Sequence, residues 1–379
     1  MNKEEIFSNV NKDIKWIKDK TIFLTIHGSI AYGLNTPESD VDVRGVTCVP
    51  KEYLLGFNKN FDEYITTNSI DCTVFSLKKF FNLTSQGNPN TLELLFTEPE
   101  HHIYVDKLGE KLLEYRNSFL SKQLKERYIG YSKAQAHRIR QHRSWLLNPI
   151  EKMPIRKDFG LPDKLLIEKN QFDAIKSLIN KKIENWNADF ETFSNSQKIY
   201  LQNKVSDILS EMNIYSDTKW AAAARSIGLD ENLIDIIKKE KEFENKVEEY
   251  KNYQRWKTNR NPKRAALEAK YGLDCKHACQ LVRLLKLGKE ILETGKVQVK
   301  RTYDREELMA IKSGAWSYED LINYADKIEK EVKEAYSKST LPNQPNIKLL
   351  NSLCIDLIER SLSKYSWYNI SKQLNNLLK

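Results

Sequence analysis

The sequence predicts an α+β chain: a small mixed-sheet domain over residues 1–107, then a larger, mostly helical and basic domain over 108–379. Three observations carry this. Short β-branched, apolar runs bounded by turn residues crowd the first part of the chain, as strands do. From about residue 108 the pattern changes to long Lys/Glu/Leu-rich segments with helical spacing. Charge divides at nearly the same place. The first 110 residues hold 11 basic and 16 acidic side chains, a balance of −5, and the net +9 of all 379 residues leaves +14 for the remainder.

Thr21 to Ile26 reads as a buried strand, stopped by Gly28, and Val41 to Val49 as its neighbour. Ser69 to Phe75 reads as a third strand with Asp71 and Thr73 on one face. Ser76 is a good N-cap for a helix Leu77 to Ser85 that ends at Gly87. Gly87-Asn88-Pro89-Asn90 is a turn by composition. The helical pattern beyond is broken near Asn148-Pro149, Gly160-Leu161-Pro162, Asn261-Pro262, Gly272, Gly295 and Pro342. Lys296 to Lys300, which alternates Val297 and Val299 with polar residues, predicts a short hairpin arm or edge strand. No repeat of fixed period and no low-complexity tract is present.

An apolar content of 40% with 10% aromatics indicates a folded chain rather than a disordered one. No apolar run has the length of a membrane span, and Met1 to Val10 is too polar for a signal peptide, so a cytoplasmic protein is expected. The cysteines, Cys48, Cys72, Cys275, Cys279 and Cys354, fit no Cys-x-x-Cys spacing and read as reduced thiols.

The chemistry concentrates in residues 27–46. A strand ends in Gly28-Ser29, and Asp40-x-Asp42 follows a dozen residues on. Period-2 spacing in a strand puts both carboxylates on one face. Two carboxylates held together repel unless a cation lies between them, and their hard oxygens suit Mg²⁺ shared with substrate phosphates. Backbone N–H groups of the Gly28-Ser29 turn and the Ser29 hydroxyl suit a phosphate. These are the parts of phosphoryl or nucleotidyl transfer.

Gly28-Ser29 followed by Asp40-x-Asp42 resembles the signature of the DNA polymerase β-type nucleotidyltransferase superfamily. The surrounding Tyr32-Gly33, Ser39 and Arg44-Gly45-Val46 are similar to its phage and bacterial RNA-ligase-associated branch. Gly87-Asn88-Pro89-Asn90-Thr91-Leu92-Glu93-Leu94-Leu95 is similar to a second block of that branch. So are Asn261-Pro262-Lys263-Arg264, Leu267-Glu268, Tyr271-Gly272, Asp274, Lys276-His277-Ala278 and Val282-Arg283-Leu284-Leu285. The resemblance implies a polymerase β-like palm domain and transfer of NMP from an NTP to an acceptor hydroxyl, with release of pyrophosphate. It implies two metal ions, Mg²⁺ or Mn²⁺ in its place, and a nucleic-acid acceptor, an RNA end first. NMP transfer to a protein or small molecule and a non-catalytic nucleic-acid-binding module are the alternatives.

The resemblance also implies a third carboxylate on a neighbouring strand that helps hold metal and accepts the proton of the attacking hydroxyl. Asp71, central in the third strand, is the candidate; Asp62 and Glu63 are its rivals. Tyr32 either packs under the helix or stacks on a base. Arg44, in phase with Asp42, either touches a phosphate or orients Asp42. Glu93 either caps a helix or reaches the site. Residues 251–301 hold 14 basic and 4 acidic side chains, and 122–157 hold 10 and 2. Lys276, Gln280 and Arg283 share one helix face, which suits a solvated surface or a polyanion site. The family blocks add Arg264 and His277, giving Arg264, Lys276, His277 and Arg283 as nucleotide-binding candidates. His277 is a poor metal ligand by sequence, since no second histidine lies near it. The window from His137 to Arg143 is a second basic candidate.

Overall fold

Thr21–His27 forms β1, a run of β-branched and apolar residues buried almost throughout. A four-residue helix, α1 (Gly28–Ala31), follows at once. The remaining strands are β2 (Asp42–Thr47), β3 (Glu63–Thr66), β4 (Asp71–Ser76) and β5 (His102–Val105). They form one mixed sheet in the order β3-β4-β2-β1-β5. β2 and β4 are parallel; the other pairs are antiparallel. The short outer strands β3 and β5 go beyond the three strands expected, and Glu63 is the first residue of β3. This is a computed structural model. It describes residues 1–8, 10–67, 70–165, 168–191, 221, 223–260 and 262–377. Ser69 and Asn261 lie outside the described residues, as do the side chains of Lys263 and Arg264.

Ser76 caps α2 (Leu77–Ser85) as expected, its hydroxyl accepting from the Lys79 N–H. Asp106 caps α3 (Lys107–Glu114), and α4 (Leu124–Leu147) follows. Two helices, α5 (Lys169–Glu191) and α6 (Glu231–Asn259), come next. Then follow α7 (Pro262–Tyr271), α8 (Cys275–Thr294), α9 (Arg305–Ser313), α10 (Tyr318–Lys338) and α11 (Ile347–Leu377).

Residues 1–147 and 262–379 make one compact unit and 148–261 a second. The border expected at residue 107 marks the change from sheet to helices, not the edge of a unit. In the second unit, Arg156 pairs with Glu240 and stacks on Phe243.

In the first unit side chains alternate between the two faces along β2 and β4, while β1 is irregular between Thr21 and Phe23. Val43, Cys72 and Val74 face one core cluster with Ile6, Phe7 and Ile17. Phe23, Val46 and Phe75 face the other way, into a core shared with Phe80 of α2, Tyr128 of α4 and Leu284 and Leu287 of α8. Asp42 and Arg44 are in phase with Val46, and Asp71 with Phe75, so both carboxylates lie on this helix-packed side. α8 is the central helix, with twelve of its residues buried.

Lys296–Lys300 forms no strand. Val299 is buried in the cluster of α4, α8, α9 and α10, and the Arg301 N–H donates to the Tyr32 carbonyl. An alternating pentapeptide without a partner strand has no ladder to join, so it packs as an extended linker.

Candidate active site

Asp42 and Asp71 are direct neighbours. They are Cα partners in the parallel β2–β4 ladder, at the end of the sheet where α1 begins. Asp40 sits two residues before, ahead of the first residue of β2. All three line one cavity of about 780 Å³, within the size range of small-ligand sites. Gly28, Ser29 and Tyr32 line it too, with the loop residues Thr36, Glu38 and Ser39, and Lys276, Cys279, Gln280 and Lys312 from the helices. The rivals of Asp71 are elsewhere: Glu63 pairs with Lys79 beside Phe75, and neither it nor Asp62 lines the cavity.

Gly28 is required twice over. Its φ is +63°, in the left-handed region, and a Cβ there would stand 1.9 Å from Asp42 Oδ2. The Asp42 carboxylate therefore lies against the Gly28 backbone, and no side chain fits between them.

Burial raises the Asp42 pKa. The charges of Asp71 and Asp40 add to this, while Arg44 and Lys276 oppose it. Arg44 pairs with the carboxylates, more closely with Asp71 than with Asp42. Its Nη1 donates to Asp71 Oδ1 at 3.1 Å and to the Val43 carbonyl at 2.9 Å, and its Nη2 is 4.0 Å from Asp42 Oδ1. It does not line the cavity.

The cations divide. Lys276, at the first turn of α8, is exposed, lines the cavity and forms no ion pair among the described residues, though its charge is felt by Asp42. Arg283, two turns on, is buried instead. Its Nη1 pairs with Glu93 Oε2 at 2.8 Å, with side chains 3% and 1% exposed, and its guanidinium lies 3.8 Å over the Tyr32 ring. Arg283 is thus absent from the cavity wall expected of it, because the helix face that starts at the cavity turns inward beneath it. Glu93 is its counter-ion, and Tyr32 packs under the helix. The Tyr32 ring meets His27 edge-on at 5.5 Å, and burial, with Arg44 and Arg283 nearby, pushes the His27 imidazole down to about 3. His277 does not line the cavity either: its Nδ1 bonds Gln135 Oε1 at 2.7 Å. The side chain of Arg264 lies outside the described residues.

Lys312 was not legible. It stands in α9, past both basic windows, in a chain with 61 Lys and Arg. Here its Nζ donates to the Leu34 carbonyl at 2.5 Å, and burial lowers its pKa. With Arg305 on the Gly33 carbonyl and the Arg301 N–H on that of Tyr32, it fastens the loop after α1 to the C-terminal helices. Cys279, also on the wall, is a buried thiol pushed up to about 11 by desolvation.

Residues 3–149 match the sequence model of the RNA repair pathway DNA polymerase beta family. Within the curated proteins, an uncharacterized 38.9 kDa protein of the nrdC–mobD intergenic region of Enterobacteria phage T4 is 33% identical over 128 residues. That alignment covers 31% of this chain and 38% of the phage protein, so the chain matches well under half of its relative's length. No helix among the described residues is long and apolar enough to cross a membrane.

Proposed function

We propose that this chain, whose residues 3–149 match the sequence model of the RNA repair pathway DNA polymerase beta family, is a metal-dependent nucleotidyltransferase. It moves NMP from an NTP to the hydroxyl of an RNA end and releases pyrophosphate. One observation carries the reading: Asp40, Asp42 and Asp71 share a single cavity with Ser29, Lys276 and Lys312.

The donor set suits Mg²⁺. It consists of carboxylate oxygens only, and a cation relieves both the burial that raises the Asp42 pKa and the lesser repulsion from Asp71 and Asp40. Asp40, Asp42 and Asp71 would hold it, and when bound it acidifies the acceptor hydroxyl and neutralises charge on the phosphates. Ser29 donates to the terminal phosphates. Lys276 and Lys312 attract the same anionic end. Asp71, held by Arg44, takes the proton of the attacking hydroxyl. The new bond joins the acceptor oxygen to the α-phosphorus, and the bond from that phosphorus to the β-phosphate oxygen breaks.

The test is incubation with each α-labelled NTP, Mg²⁺ or Mn²⁺, and RNA, DNA or protein acceptors. Label should pass to RNA. Label on protein alone would move the acceptor to the alternative class, and no transfer to any acceptor would overturn the reading.

Gly28→Ala should cut transfer by up to about a hundredfold, the scale of an ångström's misplacement of a reacting group. The added methyl displaces the Asp42 carboxylate from the 1.9 Å position it would overlap. Steady-state kinetics with a matched circular-dichroism spectrum checks this. The double substitution of Lys276 and Lys312 by Ala should weaken RNA and NTP binding. It should also flatten the dependence of affinity on salt by about one unit of slope per lost phosphate contact. An unchanged salt slope would mean that neither lysine touches a phosphate, leaving Lys276 a solvated side chain and Lys312 only a fastener of the loop.

A further inference from the structure

Outside the cavity, one cluster combines chemistry that the transfer reaction leaves unused. His142 near the end of α4, Asp274 before α8 and His277 in its first turn bring their ligand atoms within 4.8 Å of one another. We infer that these three residues form a second metal centre, for a divalent transition ion of the zinc class, that clips α4 to the start of α8.

The geometry supports this. Asp274 divides its carboxylate: Oδ1 accepts from the His277 backbone N–H and caps α8, while Oδ2 faces both imidazoles. His142 Nδ1 is 3.1 Å from Oδ2 and His277 Nε2 is 3.5 Å from it. A tetrahedral ion with bonds of about 2.0–2.1 Å holds its ligands roughly 3.3 Å apart, so these spacings need little adjustment. Two imidazoles and one carboxylate form a mixed N/O set that suits zinc-like ions and not Mg²⁺.

The surroundings fix the rings as ligand supports do. Gln135 Oε1 accepts from His277 Nδ1 at 2.7 Å, which sets the tautomer and turns Nε2 to Asp274. The His142 ring stacks on Trp145, with centroids 5.7 Å apart and planes 23° from parallel. Arg143 donates to the Gly272 carbonyl at 2.9 Å and so fastens the turn that delivers Asp274. Both imidazoles keep some solvent access, 15% and 17%, which leaves a path for the ion.

The consequence reaches the cavity through one residue. Lys276 lies between Asp274 and His277, so an ion there would hold the first turn of α8 and the lysine it presents. The centre itself stands on its own geometry, independent of the transfer reaction.

The experiment uses the untagged full chain carrying Asp40→Asn and Asp42→Asn, which disables the cavity carboxylates. After chelation it is titrated with Co²⁺, read by its visible tetrahedral bands, and then with Zn²⁺, counted by elemental analysis. One ion per chain is expected, with Zn²⁺ displacing the Co²⁺ signal. His142→Gln and His277→Gln should each abolish the signal. Gln135→Leu, which keeps every ligand, should weaken affinity by about 10–100-fold and serves where a histidine variant fails to fold. Absence of stoichiometric binding, or binding that survives these substitutions, overturns the centre.

Discussion

Asp42→Asn should lower nucleotidyl transfer by about a hundred- to a thousandfold, the scale seen when one preorganised electrostatic group is removed. The substitution keeps the side chain's size against the Gly28 backbone, so the fold should survive. Stability should move the other way. Burial raises the Asp42 pKa in the folded chain, so the folded state holds that proton to higher pH than the unfolded chain does. Above both values the ionised carboxylate costs stability, and the cost disappears as pH falls through the folded pKa and toward the usual carboxylate value. The Asn variant should therefore melt at or above the wild-type temperature near neutral pH, and its advantage should shrink under acid. Melting curves at a series of pH values check the sign. An Asn variant less stable than wild type at neutral pH would mean that the carboxylate is a structural anchor.

The largest expected effect on stability is at Arg283. Removing one partner of a buried ion pair strands the other, which costs about 3–5 kcal/mol. Glu93→Gln and Arg283→Met should each show a loss on that scale in urea unfolding. The double variant, Glu93→Leu with Arg283→Met, should recover much of it, because no charge is left buried. Losses below about 1 kcal/mol in both single variants would show a solvent-screened pair of the surface kind. The Tyr32 ring under the guanidinium, 3.8 Å away, ties this pair to the loop that follows Ser29. Transfer should therefore fall in the single variants even where the chain stays folded.

Much of the sheet was legible because its signals are local. β1, β2 and β4 are runs rich in β-branched residues, β1 is ended by Gly28 and β4 by the capping Ser76, and α2 begins at the serine expected of it. β3 and β5 were not, because four-residue outer strands carry too short a pattern and owe their state to the neighbour they join. Lys296–Lys300 fails in the opposite sense: its alternation is clear, but no strand lies beside it.

The candidate site divides along the same line. Asp40 and Asp42 follow from their spacing and Asp71 from the family resemblance and its place in a strand, and the structure brings all three to one cavity, with Asp40 just ahead of β2. Arg283 shares its helix face with Lys276, yet periodicity carries no information about where a helix passes from cavity to core. Lys312 and the His142–Asp274–His277 cluster join segments more than a hundred residues apart. Such contacts leave no local trace, which is why His277 reads as a lone histidine until α4 is folded against α8.

Manganese binding read by electron paramagnetic resonance, with a non-hydrolysable NTP analogue present, tests the central claim most directly. The wild-type chain should bind Mn²⁺ saturably. Asp40→Asn, Asp42→Asn and Asp71→Asn should each weaken that binding by about tenfold or more, since each removes a charged ligand of the same ion. Mn²⁺ affinity unchanged in all three variants would contradict the account, because the carboxylates at the end of β2 and β4 would then hold no metal.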